Sequence, residues 1–235
     1  MKVPTVHCQS CKSRDQSIFC DLSDKHLTEL DQKKTAARYP AHQVIFHEGN
    51  QPFGIHCVTS GKVKVYKVDS EGRQQILRIA GPGDILGYRC LLLDEFYSVS
   101  AETIEEATVC FFDKQTFLHT LETHPQTALN VMKALSEDLG EVEQRVTDLV
   151  QKSVRERLID LLLKLKARYG SATPQGFLLN IELSREEMAE MIGTTSESVI
   201  RQLSDLREEK LIQVDGRKIT LRQVEKMALE AGLVD

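Results

Sequence analysis

No apolar run in this 235-residue chain approaches the length of a membrane span, and the N-terminal MKVPTVHCQSCKSRDQ has no apolar core of the kind a secretory signal needs. These two absences predict a cytoplasmic location and no membrane partner. No P-loop, no HExxH and no nucleophile–base–acid constellation is present, so no enzyme is expected. An excess of positive charge is also missing. The formal net charge of −5 excludes a protein that coats nucleic acid non-specifically, although a specific reader needs only local positive charge. Disulfides are not expected in the cytoplasm, so the six cysteines point first to metal or redox chemistry and then to packing. Hydrophobic content is ordinary at 41%, and the length allows two modest domains.

The most informative stretch is 183–212, LSREEMAEMIGTTSESVIRQLSDLREEKLI. Ser184 and Glu187 have capping-box spacing, opening a helix from Arg185 to about Met191 that buries Met188, Ala189 and Ile192. Gly193 stops it at a turn that needs positive φ. Thr194 or Thr195 caps a second helix, in which Val199, Ile200, Leu203 and Leu206 recur at helical spacing. Its other face begins with Ser196, Glu197 and Arg201, followed by Gln202 and Asp205. Short polar and charged side chains on such first turns suit reading of base edges in a major groove. LIQVDGRKITL then gives two short strands around Asp215-Gly216, the dipeptide of a type I′ hairpin. Helix-turn-helix plus hairpin predicts a winged DNA-binding domain. The DNA-facing set is Thr195, Ser196, Glu197, Ser198, Ile200 and Arg201.

The N-terminal segment 1–22 carries Cys8, Cys11 and Cys20 in a C-x2-C-x8-C pattern. A CxxC pair can direct two sulfurs at one point, as metal and cluster sites require. Three thiolates leave a tetrahedral site open, and Cys57, Cys90 and Cys110 are the candidates for a fourth. A zinc site and a leader with unused thiols are the alternatives.

From Ser23 a short helix has Leu22, Leu27 and Leu30 as its apolar set. From about Ala41 the period becomes two: HQVIFHEG, GIHCVTSG, KVKVYKVD, QQILRIAG, SVSAETI and EATVCFFD read as strands between glycine or acidic turns. They predict an antiparallel β-barrel or jelly roll over 23–123, able to enclose a small ligand. His42, His47 and His56 lack ligand spacing and read as structural or surface residues. Cys57 and Cys110 lie in apolar strands, where burial is the default.

Beyond His124-Pro125 the chain is helical. Leu135, Leu139, Val142, Val146 and Leu149 recur at intervals of 4, 3, 4 and 3, a heptad seam that predicts a homodimer across a two-fold axis. Packing within the chain is the alternative. Val154, Leu158, Leu161, Leu162 and Leu165 continue a second helix. The expected organisation is therefore α+β: leader 1–22, β sensor domain 23–123, dimerisation helix 124–152, and winged helix-turn-helix domain 153–235. A two-fold dimer presents two recognition helices about one turn of DNA apart, so the double-stranded operator should be an inverted repeat.

This order of parts resembles the CRP/FNR family of bacterial transcription regulators over essentially the whole chain. The resemblance is carried by GPGDILG (81–87), VRERLIDLLLKL (154–165) and, most specifically, LSREEMAEMIGTTSESVIRQL (183–203). In the family pattern a Glu and an Arg four residues apart on the recognition helix read a G·C pair, and these positions fall on Glu197 and Arg201. Arg suits guanine O6 and N7, and Glu suits cytosine N4. Ser196 stands where cyclic-AMP-type members carry Arg, and Ile200 replaces a Ser of FNR-like members, so the outer bases of the half-site should differ. RNA polymerase is a further partner the resemblance implies.

The resemblance also bears on the signal. Cyclic-nucleotide-binding members carry a Glu after the turn glycine and an Arg-Ser pair on the next strand. Here Gly87 is followed by Tyr88-Arg89, and the pair aligns with Val99-Ser100, so cyclic AMP is not expected. FNR-like members hold a 4Fe-4S cluster with three leader cysteines and one from the β domain, which implies Cys8, Cys11, Cys20 and Cys110 as ligands and oxygen or redox state as the signal. The last leader gap is longer here than in FNR-like members, a change that costs little loop entropy. Phe19 is placed to shield such a cluster. A small ligand, nitric oxide or haem in the barrel is the alternative effector.

Overall fold

The computed structural model describes residues 6–232. The first five residues of the expected leader and the last three of the expected DNA-binding domain lie outside the described residues. The chain divides into two compact units at Gly140–Glu141.

In the first unit, two short 3-10 turns, Cys8–Ser10 and Arg14–Gln16, lead into α1, Asp24–Lys33. Eight strands follow: β1 Thr35–Tyr39, β2 Val44–Phe46, β3 Gly54–Ser60, β4 Val63–Val68, β5 Gln74–Ala80, β6 Ile85–Leu86, β7 Ser100–Thr103 and β8 Ala107–Asp113. Helix α2, Tyr88–Leu93, interrupts them after β6. Then come α3, Lys114–Thr123, and α4, Pro125–Gln151, the second of which runs across the division between the units.

The strands form two open antiparallel sheets, ordered β1-β8-β3-β6 and β2-β7-β4-β5. No ladder joins one sheet to the other among the described residues, so the domain is a two-sheet sandwich of the jelly-roll kind and not the closed barrel that strand counting allowed. Four elements escaped the alternation rule, among them the two-residue β6. β1 is TAARY, mostly exposed or half-buried, with too few apolar residues to show a period. α2 and α3 lie in the expected β domain, outside the segments read as strands.

Two cores flank the β1-β8-β3-β6 sheet. Val58 and Val109 face the second sheet and join Val63, Val65, Ala101 and Phe46. Ile55, Cys57, Cys110 and Phe112, on the opposite face, pack with Ile18, Phe19 and Leu22 of the leader, Leu27 and Leu30 of α1, Phe117 of α3 and Val131 of α4. The period of two along each strand sorts the side chains this way. The leader is thus a covering layer, with Phe19 packed on Phe112 at 5.1 Å between ring centroids and 50° between the ring planes.

His56, on β3, sits between the Phe46 and Phe111 rings, and its Nδ1 is buried without a hydrogen-bond partner. Burial holds its imidazole down at about 4, against 6.5 in the open chain. The unfolded chain therefore takes up a proton below pH 6.5 that the folded one refuses until about pH 4. Stability should fall as pH drops through that window, by on the order of 3 kcal/mol. His56→Leu should flatten this dependence, read as the urea midpoint at pH 7 and pH 5. An unchanged slope in the variant would assign the acid sensitivity elsewhere.

The second unit holds the rest of α4, then α5 Val154–Tyr169, β9 Gly170–Thr173, β10 Gly176–Leu179, α6 Arg185–Ile192, α7 Ser196–Glu208, β11 Ile212–Asp215, β12 Lys218–Leu221 and α8 Val224–Glu230. Ser153 and Glu156 form a capping box that starts α5. Leu158, Leu161, Leu162 and Leu165 of that helix are buried, and α5 packs on α6, α7 and α8. The strands form one sheet, β11-β12-β10-β9. Its β9–β10 hairpin was not anticipated, because GSAT carries no apolar alternation.

Candidate functional site

The DNA-facing elements are built by local rules. Ser184 Oγ accepts from the Glu187 N–H at 3.0 Å, and the Glu187 carboxylate accepts from the Ser184 N–H at 2.8 Å, the reciprocal cap that starts α6. Gly193 ends it at φ 66°, a left-handed conformation that only glycine adopts without strain. Thr195, not Thr194, caps α7 by accepting from the Ser198 N–H at 3.3 Å. Val199, Leu203 and Leu206 are buried. Ile200 is not part of that apolar stripe: it is 55% exposed, a correction to its reading as a packing residue, and it stands beside Arg201 on the outer face. Glu197, Ile200 and Arg201 are all exposed, with Ser196 and Ser198 half-exposed and Thr195 exposed at the cap. Neither Glu197 nor Arg201 makes an ion pair or side-chain hydrogen bond among the described residues, so both ends remain available to base edges.

The hairpin turn differs from the expected one. Asp215 pairs with Lys218, so the two-residue loop is Gly216-Arg217. Only Gly216 has positive φ, 58°, which is the requirement of a type II′ turn rather than a type I′ turn at Asp215-Gly216. The shift brings Arg217 and Lys218 to the tip. Arg185, at the start of α6, donates to the Gly216 carbonyl at 3.0 Å. Burial and then the nearby Arg217 charge press the Arg185 guanidinium downward. Arg185, Arg217 and Lys218 were overlooked in the sequence because their convergence depends on the turn. They supply the local positive charge that the overall −5 conceals.

Along α4, Leu139, Val142, Val146 and Leu149 are exposed to 59%, 58%, 59% and 45%. Leu135 is half-buried against the leader-side core of its own unit. A Cβ added at Gly140 would meet nothing.

All six cysteines are free thiols, with Cys8, Cys11 and Cys20 half-buried and Cys57, Cys90 and Cys110 buried. The leader-side core gathers three of them. Cys57 and Cys110 are direct partners across β3 and β8. Cys8 packs on the same core, and its backbone N–H donates to Asp31 Oδ1 at 2.8 Å. Burial pushes the Cys110 thiol up to about 12; Lys34 opposes this, while Cys8 and Cys11 add to it. Burial likewise raises Cys57, followed by Cys110, Cys11 and Cys8. Cys8 is pushed up to about 11 by burial, against the pull of Lys34.

A cation stands among these thiols. The Lys34 side chain is only 4% exposed and pairs with Asp31, whose other oxygen meets His7 Nδ1 at 2.8 Å. Burial raises Asp31, but the Lys34, His7 and Cys8 hydrogen bonds outweigh it and hold the carboxyl well below its usual range.

Two cysteines stand apart. Cys90 lies in the core between the sheets. Cys20 donates to Asp21 Oδ2 at 3.3 Å and accepts from Asn130 Nδ2 at 3.5 Å, and burial followed by Asp21 raises its thiol. Of the four expected ligands, Cys8 and Cys110 share the leader-side core, Cys11 Sγ lies 3.1 Å from Ser13 Oγ, and Cys20 turns to Asp21 and Asn130. Among the described residues no three His, Cys, Asp or Glu side chains stand close enough to hold a single metal ion.

A jelly-roll domain joined by a long helix to a winged helix-turn-helix, with a free recognition face, defines a DNA-binding transcription regulator. The first part matches the cyclic nucleotide-binding domain over residues 36–124, and the second matches the Crp-like helix-turn-helix domain over 156–229. The probable transcriptional regulator flp of Lacticaseibacillus casei is 32% identical over 89% of this chain and 93% of its own. The anaerobic regulatory protein of Bacillus subtilis is 29% identical over 89% and 90%. FixK2 from Bradyrhizobium japonicum superposes with a TM-score of 0.75 at 25% identity, covering 83% of this chain and 96% of that one. The chain belongs to the CRP/FNR family.

Proposed function

We propose that this CRP/FNR regulator acts as a homodimer on an inverted-repeat operator in the cytoplasm, under the control of an oxygen- or redox-sensitive 4Fe-4S cluster held over the outer face of the β1-β8-β3-β6 sheet. The observation that carries the cluster reading is that Cys8 of the leader packs on the core that holds Cys110. The Lys34 ammonium beside Cys8 is compensated by Asp31, as a buried cation requires. When bound, a cluster of this kind supplies oxygen-labile redox chemistry.

The chain's own residues provide the rest. Phe19 and Phe112 cover the thiols with apolar surface. Asn130 on α4 donates to the Ile18 carbonyl at 3.2 Å and to Asp21 at 2.9 Å, so the leader is clasped to the helix that carries the dimer seam. A change in leader docking then biases the pairing of α4, a population shift of the kind a two-state regulator needs. Glu197 and Arg201 read a G·C pair, Ile200 and the serines contact neighbouring bases, and Arg185, Arg217 and Lys218 meet phosphates. RNA polymerase is the protein partner of a regulator so placed.

Cyclic AMP is not the signal in this reading. Val99-Ser100 offers no cation at the expected phosphate position, and the Ser100 hydroxyl already accepts from the Glu48 N–H at 2.9 Å. Arg89 is exposed and bonded to Ser98. The match to a cyclic nucleotide-binding domain favours, as a second reading, a regulator without a cluster, controlled by a small ligand, nitric oxide or haem between the sheets.

Protein purified without oxygen should contain about four irons and four sulfides per chain and a broad visible absorbance that bleaches in air. Cys110→Ser should lose both. Stoichiometric zinc would make the leader site structural, and metal-free protein with full operator affinity would establish the second reading.

A further inference from the structure

We infer that Arg145 and Arg157 are positioning residues for DNA recognition: they fasten the turn of the helix-turn-helix to the end of the dimer helix, and so fix the half-site spacing that the protein accepts. The inference rests on the dimer and inverted-repeat reading above and adds what sets the spacing of that repeat.

Both arginines act at the C-terminus of α6. A helix end leaves carbonyls without partners inside the helix. The N–H groups of Gly193 and Thr194 both donate to the Ala189 carbonyl. The last two carbonyls of α6 receive guanidinium donors from other helices instead. Arg145 of α4 donates through Nη2 to the Met191 carbonyl at 2.5 Å. Arg157 of α5 donates through Nε to the Ile192 carbonyl at 3.0 Å. Its Nη1 reaches the Lys152 carbonyl at 2.8 Å and the Leu149 carbonyl at 3.5 Å. One planar guanidinium therefore joins the C-terminal ends of α4 and α6, where the helix dipoles favour a cation. A lysine offers a single point of attachment and cannot span the two.

Packing follows the same line. Leu149, on the seam, reaches the turn itself: a Cβ added at Gly193 would come within 3.1 Å of Leu149 Cδ2. The joint between α4 and α5 is held by ion pairs of Lys152 with Asp148 at 3.1 Å and of Lys164 with Asp160 at 2.7 Å, and both carboxylates are buried. Thr195 caps α7 directly beyond this turn, so the turn carries the orientation of the recognition helix relative to the end of α4. In a two-fold dimer any looseness there is doubled. Adding one base pair between half-sites turns one against the other by roughly 35°, which a stiff turn penalises and a loose one tolerates. Because the two arginines bind backbone carbonyls of α6, their loss leaves the base-reading side chains of α7 in place.

The test is operator titration at fixed salt with full-length protein purified without oxygen. Four duplexes are compared: the inverted repeat at its best spacing, the same repeat with one base pair added or removed, and a single half-site. Wild type, Arg145→Gln and Arg157→Lys are each titrated, with sedimentation velocity and thermal unfolding alongside. Wild type should lose about 10²-fold or more when the spacing changes, because the second half-site is no longer engaged. In each variant that difference should shrink to about tenfold or less, with single half-site affinity within about twofold of wild type and the dimer retained. A wild-type spacing preference in both variants overturns the inference, whatever happens to thermal stability. Equal losses on all four duplexes also overturn it, since the arginines would then support only the fold of the domain. A wild type that is monomeric, or a dimer indifferent to spacing, removes the inverted-repeat reading as well. Should one variant fail to fold, the other decides, because each severs a different attachment.

Discussion

Val146→Asp should leave the protein monomeric and lower its operator affinity by about 10²–10⁴-fold. Val146 is 59% exposed within the chain, so the substitution should disturb the fold little and act mainly on the partner helix. On a two-fold axis the change is doubled, placing two carboxylates near one another in what should be a dry seam with Leu139, Val142 and Leu149. Each half-site contact survives, but the second recognition helix no longer binds as an intramolecular event, and the lost effective concentration sets the size of the loss. Sedimentation velocity together with operator titration at fixed salt reads both quantities. A stable dimer of wild-type affinity would show that the seam packs on something else.

Arg201→Ala should cost about 1–3 kcal/mol per half-site, which over two half-sites is roughly a 30-fold to 10⁴-fold loss of affinity. The more telling readout is specificity. Wild type should discriminate strongly against an operator in which the G·C pair facing Arg201 is replaced in both half-sites by A·T, and the variant should bind the two duplexes almost equally. Arg217→Ala at the hairpin tip should instead weaken both duplexes alike and reduce the salt dependence, as a phosphate contact does. If Arg201→Ala kept its preference for G·C, the base-reading role would move to another residue on α7. Thr195 fixes the start of that helix, so the side chains at 197, 200 and 201 are presented together.

Much of this architecture was legible from local pattern. The caps at Ser184 and Thr195, the left-handed Gly193 and the buried trio Val199, Leu203 and Leu206 all follow from residues within one or two turns of each other. Alternation placed six of the eight strands of the first unit. What local pattern could not supply was which strand meets which. Sheet closure, the β9–β10 hairpin and the type II′ turn at Gly216-Arg217 are all matters of register, and register is a non-local quantity. Ile200 fits the apolar spacing of α7 as well as Val199 does. It is exposed because a helix of this length buries one stripe and Ile200 falls just outside it.

The thiols show the same limit. Cys57 in IHCV and Cys110 in TVCFF each read as small apolar residues, and nothing in either strand announces the other. Only the β3–β8 ladder makes them a pair. Lys34 was equally silent: a lysine following a helix reads as solvated until the leader closes over it.

The leader is synthesised before the strands that it covers. Ile18, Phe19 and Leu22 have no surface to cover until β3 and β8 are paired, and β8 is completed only at Asp113. At ordinary bacterial synthesis rates, Cys8 and Cys11 wait for roughly 5–20 s before Cys110 leaves the ribosome. During that interval their sulfurs are open to any passing metal ion or oxidant. Nascent chains made in air should therefore carry their first chemical damage at the two leader thiols, before the strands that cover them are complete.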